Sequence, residues 1–377
     1  MTSRERLDTA AAFREPDRVP IELQVSDRAR GLAGMERIVA FIDNQADNFL
    51  GTPSVDWGFF GLDSEYSEEV IEDIPGDYRR IRRTHRTPVG DFHAITRHVY
   101  SQLESADYHW DRRYIETLDE LARLAGAPRK VRPLDIEGHR RAVDQIGTRG
   151  VALMGVAHPL GTLVRWSKME EVYIWLATEP EIIHQFLDSA NRQTRDTILA
   201  LGQAGITGWF GTWAIEMLIP PWLGRDRFNE LVFPYDKMVN DAIHRIGGRH
   251  RSHSHGRCMG YLETMVEMGI DATEPLEPDP FGDIDLARAK RQVGDRMMLS
   301  GNVPSQFFNR ISRDEVRSSV RRSIREGAPG GGFSLRTTGG HAGIDPDLDR
   351  TQLDRIIANV EAYIEAGLEF GGYPIRL

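Results

Sequence analysis

Residues 248–260 read GRHRSHSHGRCMG, and the interpretation of the whole chain starts from this stretch. The residues before Gly256 have the character of a β-strand, and the side chains of a strand alternate between its two faces. His253 and His255 are therefore predicted to point to one face, and the intervening serine to the other. Two imidazoles on one face at the end of a strand are a typical pair of nitrogen ligands for a transition metal.

Short apolar segments alternate regularly with amphipathic segments from Val151 onward. Ser/Thr-x-x-Glu capping boxes at Ser167, Thr178 and Ser312 predict where three helices begin. Including two earlier segments, strands are predicted near residues 21, 56, 154, 210, 252, 273, 299 and 334. Strands that alternate with helices indicate a parallel sheet, and eight such units favour a closed barrel. The predicted fold is an α/β protein, a single (β/α)8 TIM barrel over residues 1–377.

Residues 62–150 interrupt this pattern and are predicted to be an insertion in the N-terminal half, or a cap over the barrel. Turn residues at Pro88–Asp91 predict a β-hairpin. The basic run Tyr78–Arg86 follows the acidic run Ser64–Asp77, which indicates local charge balance.

Composition excludes several classes of protein. The 377 residues carry a net charge of −10, which argues against nucleic-acid binding through a basic face. A single cysteine, Cys258, excludes an intrachain disulfide and a Cys-rich zinc module. No signal-peptide pattern and no long apolar segment is present, so we expect a cytoplasmic protein without a membrane partner.

Polar and aromatic residues cluster at the predicted carboxyl ends of the strands, where barrel enzymes place their active sites. They are Glu22, Gln24, Asp56, Trp57, His158, Trp213, Glu216, Glu274, Glu277 and Asn302. Structural roles remain open for some of them: Asp56, Glu274 and Glu277 are equally consistent with helix caps or ion pairs. Trp213 is consistent with packing at the rim, and His158 with a bond to the backbone.

His341 follows the last predicted strand between glycines, so it is predicted to meet His253 and His255 on one Zn²⁺ ion. Three neutral imidazoles leave an open fourth position for water or a substrate atom, the arrangement of a catalytic site. Cys258 is predicted to lie at a helix N-terminus, which would lower its pKa. It is therefore either an additional ligand or a small packing residue.

Four stretches resemble the uroporphyrinogen decarboxylase superfamily. They are RERLDTAAAFREPDRVPIELQ (4–24), GVALMGVAHPLGTLVRW (150–166), MEEVYIWLATEPEIIHQFLD (169–188) and the run from His253 to Val303 that begins HSHGRCMGYLETMVEMGIDATEPLEP. The resemblance covers nearly the whole chain and is weakest over 62–150. It implies a (β/α)8 barrel with the active site at the strand C-termini, and it also implies a homodimer.

The resemblance extends to two branches of this superfamily. The porphyrinogen decarboxylases hold substrate carboxylates with an RQAGR segment, where this chain reads QVSDRARG (24–31), with Arg28 and Arg30 but without the motif. The cobamide-linked methyltransferases bind zinc through His-x-Cys and a later Cys. His253 matches the first ligand, His255 stands at the first Cys, and His341 falls near the second. Imidazoles in place of thiolates leave a harder ion that suits an oxygen ligand.

The chain is therefore interpreted as a zinc-dependent, methyltransferase-like enzyme. It would move a methyl group between a small methylated substrate, such as an O-methyl compound, and a corrinoid on a partner protein. Glu274, Glu216 or Asp56 would act as acid or base, and Glu22, Gln24, Trp57, His158, Trp213 and Asn302 would contact the substrate. The alternatives are a decarboxylase or lyase of a small carboxylated substrate, and a barrel that only binds a ligand.

Overall fold

The computed structural model describes residues 1–100, 108–213 and 215–377, which form two β-sheets surrounded by helices. In chain order the strands are β1 (Asn48–Thr52), β2 (Glu65–Ile74), β3 (Tyr78–Thr87), β4 (Gly90–Val99), β5 (His109–Arg112), β6 (Gly150–Gly155), β7 (Trp209–Thr212), β8 (Arg249–Ser254), β9 (Ala272–Pro275), β10 (Met298–Val303) and β11 (Phe333–Thr337).

Fourteen α-helices lie in the described parts of the chain. They are α1 (Ser3–Ala11), α2 (Asp27–Arg30), α3 (Glu36–Asn44), α4 (Leu118–Ala125), α5 (Ile136–Ile146), α6 (Pro159–Trp166), α7 (Met169–Thr178), α8 (Pro180–Gln203), α9 (Arg225–Leu231), α10 (Phe233–Arg245), α11 (Leu262–Glu267), α12 (Leu286–Val293), α13 (Arg313–Gly327) and α14 (Arg350–Phe370). Short 3-10 helices follow four of the strands, at Ile215–Leu218, Met259–Tyr261, Ser305–Phe307 and Gly340–Gly343.

The larger sheet is parallel and contains seven strands in the order β1-β6-β7-β8-β9-β10-β11. The strands from β6 to β11 are neighbours in sequence as well as in space, as crossover helices require. All six strands predicted in this part of the chain are confirmed to within a few residues. The chain is therefore an α/β protein with a curled parallel sheet, whose carboxyl edge carries the polar side chains described below.

The segment around Ile21 was predicted to be a strand, but it forms a single parallel bridge, from Ile21 to Leu335 of β11. The amide of Glu22 donates to the carbonyl of Leu335 at 2.9 Å, and the carbonyl of Ile21 accepts from the amide of Asp47, next to β1, at 2.8 Å. This segment thus forms hydrogen bonds at both edges of the seven-stranded sheet.

The strand predicted near residue 56 was placed wrongly. The strand is β1, which ends at Thr52, whereas residues 54–60 form a loop. The apolar side chains of that loop belong to a cluster of aromatic rings instead. Phe59 and Phe60 pack against Trp166 at ring-centroid distances of 5.8 and 5.5 Å.

One of the three predicted capping boxes is confirmed. Ser312 caps α13 together with Glu315. Ser167 instead follows the last residue of α6, and Thr178 is the last residue of α7, where its hydroxyl donates to the carbonyl of Ile174. The next helix begins at Pro180, since proline is favoured in the first turn, where its missing N–H costs nothing.

The second sheet is antiparallel, in the order β2-β3-β4-β5, and lies within the predicted insertion. The hairpin is confirmed, with Thr87 paired to Gly90. The acidic strand β2 faces the basic strand β3, and three ion pairs join Glu68, Glu69 and Glu72 to Arg83, Arg82 and Arg80 at 3.0–3.2 Å. The basic run is therefore balanced locally, as predicted.

None of the helices in the described parts of the chain is both long and apolar enough to cross a bilayer.

Candidate active site

A buried network of ion pairs lies at the carboxyl side of the parallel sheet. Glu22 is 1% exposed, and its carboxylate accepts from both terminal nitrogens of Arg251, at 3.2 and 2.6 Å. It also accepts from Nη1 of Arg336 at 3.0 Å and from the hydroxyl of Ser334 at 2.6 Å. Burial opposes ionisation, but Arg251 and Arg336 hold the pKa of Glu22 below its ordinary value.

Glu274 is the second acid of this network. Its Oε2 lies 2.8 Å from Nε of Arg336, and its Oε1 lies 3.8 Å from Nε of Arg251. Burial would raise the pKa of this carboxyl, but Arg336 and Arg251, with a smaller contribution from His253, lower it far below the usual range. Glu274 is therefore held as a carboxylate.

The two histidines at the end of β8 lie together, His253 within the strand and His255 directly after it, as the alternation of the strand predicts. Their ring centroids are 4.6 Å apart. Nδ1 of His253 lies 3.0 Å from Oε1 of Glu274, the residue opposite it on β9, and Nδ1 of His255 lies 3.0 Å from Oε1 of Glu277. A carboxylate beside Nδ1 favours a proton on that atom and leaves Nε2 with its lone pair, which is how metal-binding histidines are oriented. The contact with Glu277 also raises the pKa of His255.

His341 lies on the 3-10 turn after β11, in a left-handed conformation (φ 48°, ψ 32°), and is exposed. In residues 1–100, 108–213 and 215–377, no three His, Cys, Asp or Glu side chains are grouped so as to hold a metal ion. The structure thus brings His253 and His255 together but does not bring His341 to them, and the three-histidine site stays a prediction.

Cys258 is buried and lies at the N-terminus of a short 3-10 helix, as predicted, but the effect on its thiol is the reverse of the one expected. Its sulfur lies 3.2 Å from the hydroxyl of Ser254 and 3.1 Å from the carbonyl oxygen of His255. Burial raises the pKa of the thiol to about 12, so the predicted lowering by a helix N-terminus is wrong. The residue packs as a small apolar side chain.

His158 caps α6, and its Nδ1 accepts from the amide of Gly161 at 3.0 Å. Its Nε2 lies 3.1 Å from Asp236 of α10. Burial opposes protonation, but Asp236 raises the pKa of His158 overall. Glu216 interacts electrostatically with both His158 and His255, and its Oε2 is buried without a hydrogen-bond partner among the described residues. Glu216 thus has a buried carboxylate oxygen without a hydrogen-bond partner among the described residues, and its charge helps to raise the pKa of both histidines.

Three predicted site residues make structural contacts, and Oδ2 of Asp56 also lies 3.8 Å from Nη2 of the buried Arg132. The exposed Asp56 accepts from the amide of Gly58 at 3.0 Å, and Gln24 donates to the carbonyl of Phe49 at 2.9 Å. Asn302 is fully buried and accepts from the hydroxyl of Ser323 on α13, so this oxygen is turned towards a surrounding helix. These contacts are those of turn, loop and helix-packing residues.

A cavity of about 630 Å³ opens beside β6, and residues of both the parallel sheet and the second sheet contribute to its wall. Three predicted substrate-binding residues, Trp57, His158 and Trp213, contribute to its wall. The indole nitrogen of Trp57 donates to the carbonyl of Gly155 at 2.9 Å, and a side-chain carbon at Gly155 would lie 3.5 Å from the ring of Trp213. Both indoles therefore lie against the end of β6.

Sequence reasoning missed the arginines of the site. Arg251 lies two residues before His253 on β8, so the alternation that paired the histidines also predicts its direction. Arg336 lies inside β11, whose other four residues are buried, and a charged residue in a buried strand signals a buried partner. Arg113, which lines the cavity, has no comparable signal because it belongs to the insertion.

A family model described as Uroporphyrinogen decarboxylase (URO-D) matches residues 114–363. The chain belongs to the uroporphyrinogen decarboxylase family. Membership indicates an enzyme of that superfamily.

Two curated members of the family are similar in sequence. A uroporphyrinogen decarboxylase of Thioalkalivibrio sulfidiphilus is 34% identical over 98 residues, which cover 26% of each chain. One of Colwellia psychrerythraea is 27% identical over 262 residues, which cover 64% of each chain. The matched part thus spans about a quarter of the first relative and under two thirds of the second.

A methyltransferase from Methanosarcina mazei has a similar fold. The two structures superpose with a TM-score of 0.57 at 15% sequence identity, over 97% of this chain and 99% of the other. At this identity the likeness concerns the fold alone.

Proposed function

We propose that the chain is a zinc-dependent, methyltransferase-like enzyme built on a closed (β/α)8 barrel, with residues 62–150 inserted over its mouth. It would move a methyl group between a small methylated substrate and a corrinoid on a partner protein. The observation that supports this most strongly is the histidine pair of β8, whose Nδ1 atoms each lie 3.0 Å from a carboxylate.

His253 and His255 would hold the ion through Nε2, and His341 would complete the ligand set. The third ligand must approach from its exposed turn, and glycines at 339, 340 and 343 give that turn backbone freedom. When bound, the ion would act as a Lewis acid on a substrate oxygen. The donor set suits this role, since neutral imidazoles leave zinc its full charge.

The acids of the site would have different roles. Glu274 is held ionised by its arginines, so it would orient His253 and would be a poor proton donor at neutral pH. Glu216, with a buried and unpaired oxygen near His255, is our preferred acid or base. Asp56 is less favoured, because it is exposed and is engaged by Gly58.

The test is methyl transfer in the presence of zinc. Mixing zinc-loaded protein with cob(I)alamin and a panel of methyl ethers is expected to produce the methylcobalamin spectrum. The variants His253→Ala and His255→Ala should lose about 10–100-fold or more of the rate, as expected when metal ligation is weakened. Formation of methylcobalamin at equal rates in these variants would contradict the proposal, as would its absence with every ether.

A decarboxylase of a small carboxylated substrate is the second candidate, because both curated relatives are uroporphyrinogen decarboxylases. Arg336, with 26% of its side chain accessible, would then contact a substrate carboxylate. Release of CO₂ from a carboxylated substrate without zinc or corrinoid would favour this reaction over methyl transfer.

A further inference from the structure

The wall of the cavity beside β6 includes Trp57, His158 and Trp213, which were predicted to contact the substrate, and further side chains to which the proposed reaction gives no role. Aromatic rings from both sheets and from the helices between them surround it: Trp57, Phe60, Tyr108, Trp110, Trp166, Phe186 and Trp213. A volume of about 630 Å³ lies within the range of small-molecule sites. Flat rings on several sides favour a planar ligand, because offset and edge contacts between rings add to apolar burial.

Two guanidinium groups give the same cavity a positive charge. Arg113 stacks on Trp110, 4.5 Å from the ring centroid, and its Nη1 donates to the backbone carbonyl of Arg165 at 2.7 Å. Arg165 lies on α6 and also lines the cavity. In the part of the chain that the structure describes, neither guanidinium forms an ion pair with a carboxylate.

The absence of a carboxylate ion pair among the described residues distinguishes Arg113 and Arg165 from the other arginines near the site. Arg251 and Arg336 are both neutralised by Glu22 and Glu274. Burial lowers the pKa of Arg113 and Arg165 adds to this effect, whereas the charges of Glu116 and Glu170 act in the opposite direction without outweighing it. Arginine is suited to bidentate contact with a carboxylate, and such contacts are about twice as strong as neutral hydrogen bonds.

We infer that this cavity is a binding site for a planar aromatic carboxylate, with the ring between the indoles and the carboxylate on Arg113 and Arg165. The inference goes beyond the proposed reaction, because it involves none of the metal-binding histidines. It also assigns the second sheet a role, since Tyr108, Trp110 and Arg113 come from the inserted region.

The test uses calorimetric titration of the whole, zinc-free protein with 2-naphthoate, its neutral methyl ester and cyclohexanecarboxylate. The naphthoate is expected to bind, and the ester and the non-aromatic acid should each bind about tenfold more weakly or worse. Arg113→Gln and Arg165→Gln should each raise the Kd of naphthoate about tenfold, since each removes charged donors. Arg291→Gln, an exposed arginine on α12 outside the cavity, is the matched control and should leave the Kd unchanged.

Arg165 is exposed, so its replacement leaves the fold intact and tests the inference even where the Arg113 variant is unstable. Equal binding of acid and ester, or an unchanged Kd in Arg165→Gln, would overturn the inference. So would the absence of binding at about 10 mM naphthoate, which sets a Kd weaker than that of a built site. Because the titration needs neither zinc nor corrinoid, its failure is distinguishable from failure of methyl transfer.

Discussion

At the scale of single residues, strand alternation predicted the site only in part. It placed His253 beside His255, and their rings are 4.6 Å apart. The same alternation applies to Arg251, but the role of this residue depends on Glu22, which lies 229 positions earlier in the chain. A buried ion pair of that separation is a consequence of the fold and has no local signal.

Glu22 is expected to be essential for stability. In Glu22→Gln, Arg251 and Arg336 lose a buried counter-charge, and an uncompensated buried charge typically costs about 3–5 kcal/mol. Urea unfolding measures this loss directly. The exposed pair of Asp188 and Arg192 is the control, since Asp188→Asn should cost about 1 kcal/mol or less. A similarly small loss in Glu22→Gln would mean that the network does not stabilise the fold.

His250 gives a pH-dependent prediction. This buried residue faces away from the histidine pair, with its Nε2 2.8 Å from the hydroxyl of Thr212, and burial lowers its pKa from 6.5 to about 4. Below pH 6.5 the imidazole of His250 is therefore protonated in the unfolded chain, whereas in the folded chain it stays neutral until the pH approaches about 4. The stability contributed by neutral His250 is complete above about 6.5 and is lost as the pH falls towards 4.

His250→Gln removes this titration. Between pH 7 and 5 the wild-type protein should lose about 2 kcal/mol more unfolding free energy than the variant. Urea unfolding at the two pH values measures the difference, which is independent of any constant loss caused by the substitution. Parallel pH profiles would show that His250 is protonated in the folded protein.

At the scale of secondary-structure elements, most strands and helices follow from local patterns, but several boundaries do not. Ser-x-x-Glu predicts the start of α13 correctly because the box lies directly before the amphipathic run. At Thr178 the same pattern falls at the end of α7, where Pro180 determines the next start. A Ser/Thr-x-x-Glu pattern therefore predicts the start of a helix correctly only where no other nearby residue, such as a proline, sets that start instead.

A pair of substitutions separates the true cap from the apparent one. Ser312→Ala should cost about 1 kcal/mol, because it removes the acceptor for the amide of Glu315. Thr178→Ala should change stability by less than about 0.5 kcal/mol, since this exposed hydroxyl bonds only within α7. Chemical unfolding of both variants measures the difference. Equal losses would contradict the assigned boundary.

At the scale of the whole molecule, the alternation of strands and helices predicted the parallel sheet and its order from β6 to β11. Strand β1 was predicted too far along the chain, near residue 56, because the aromatic residues of 54–60 resemble a strand but pack against α6 and the insertion. The cavity was not predictable, because its walls combine Trp57, Trp213 and the segment around Arg113, which are far apart in sequence. These residues come together only when the insertion packs against the parallel sheet in the folded protein.

The central claim is that the histidine pair at the end of β8 binds a metal, and zinc stoichiometry tests it most directly. Metal-depleted protein would be dialysed against zinc and measured by elemental mass spectrometry, with His244→Ala, an exposed histidine on α10, as the control. Wild type and control should retain about one zinc per chain, and His253→Ala and His255→Ala less than about 0.3. Wild-type protein with less than about 0.3 zinc, or variants with a full equivalent, would contradict the account.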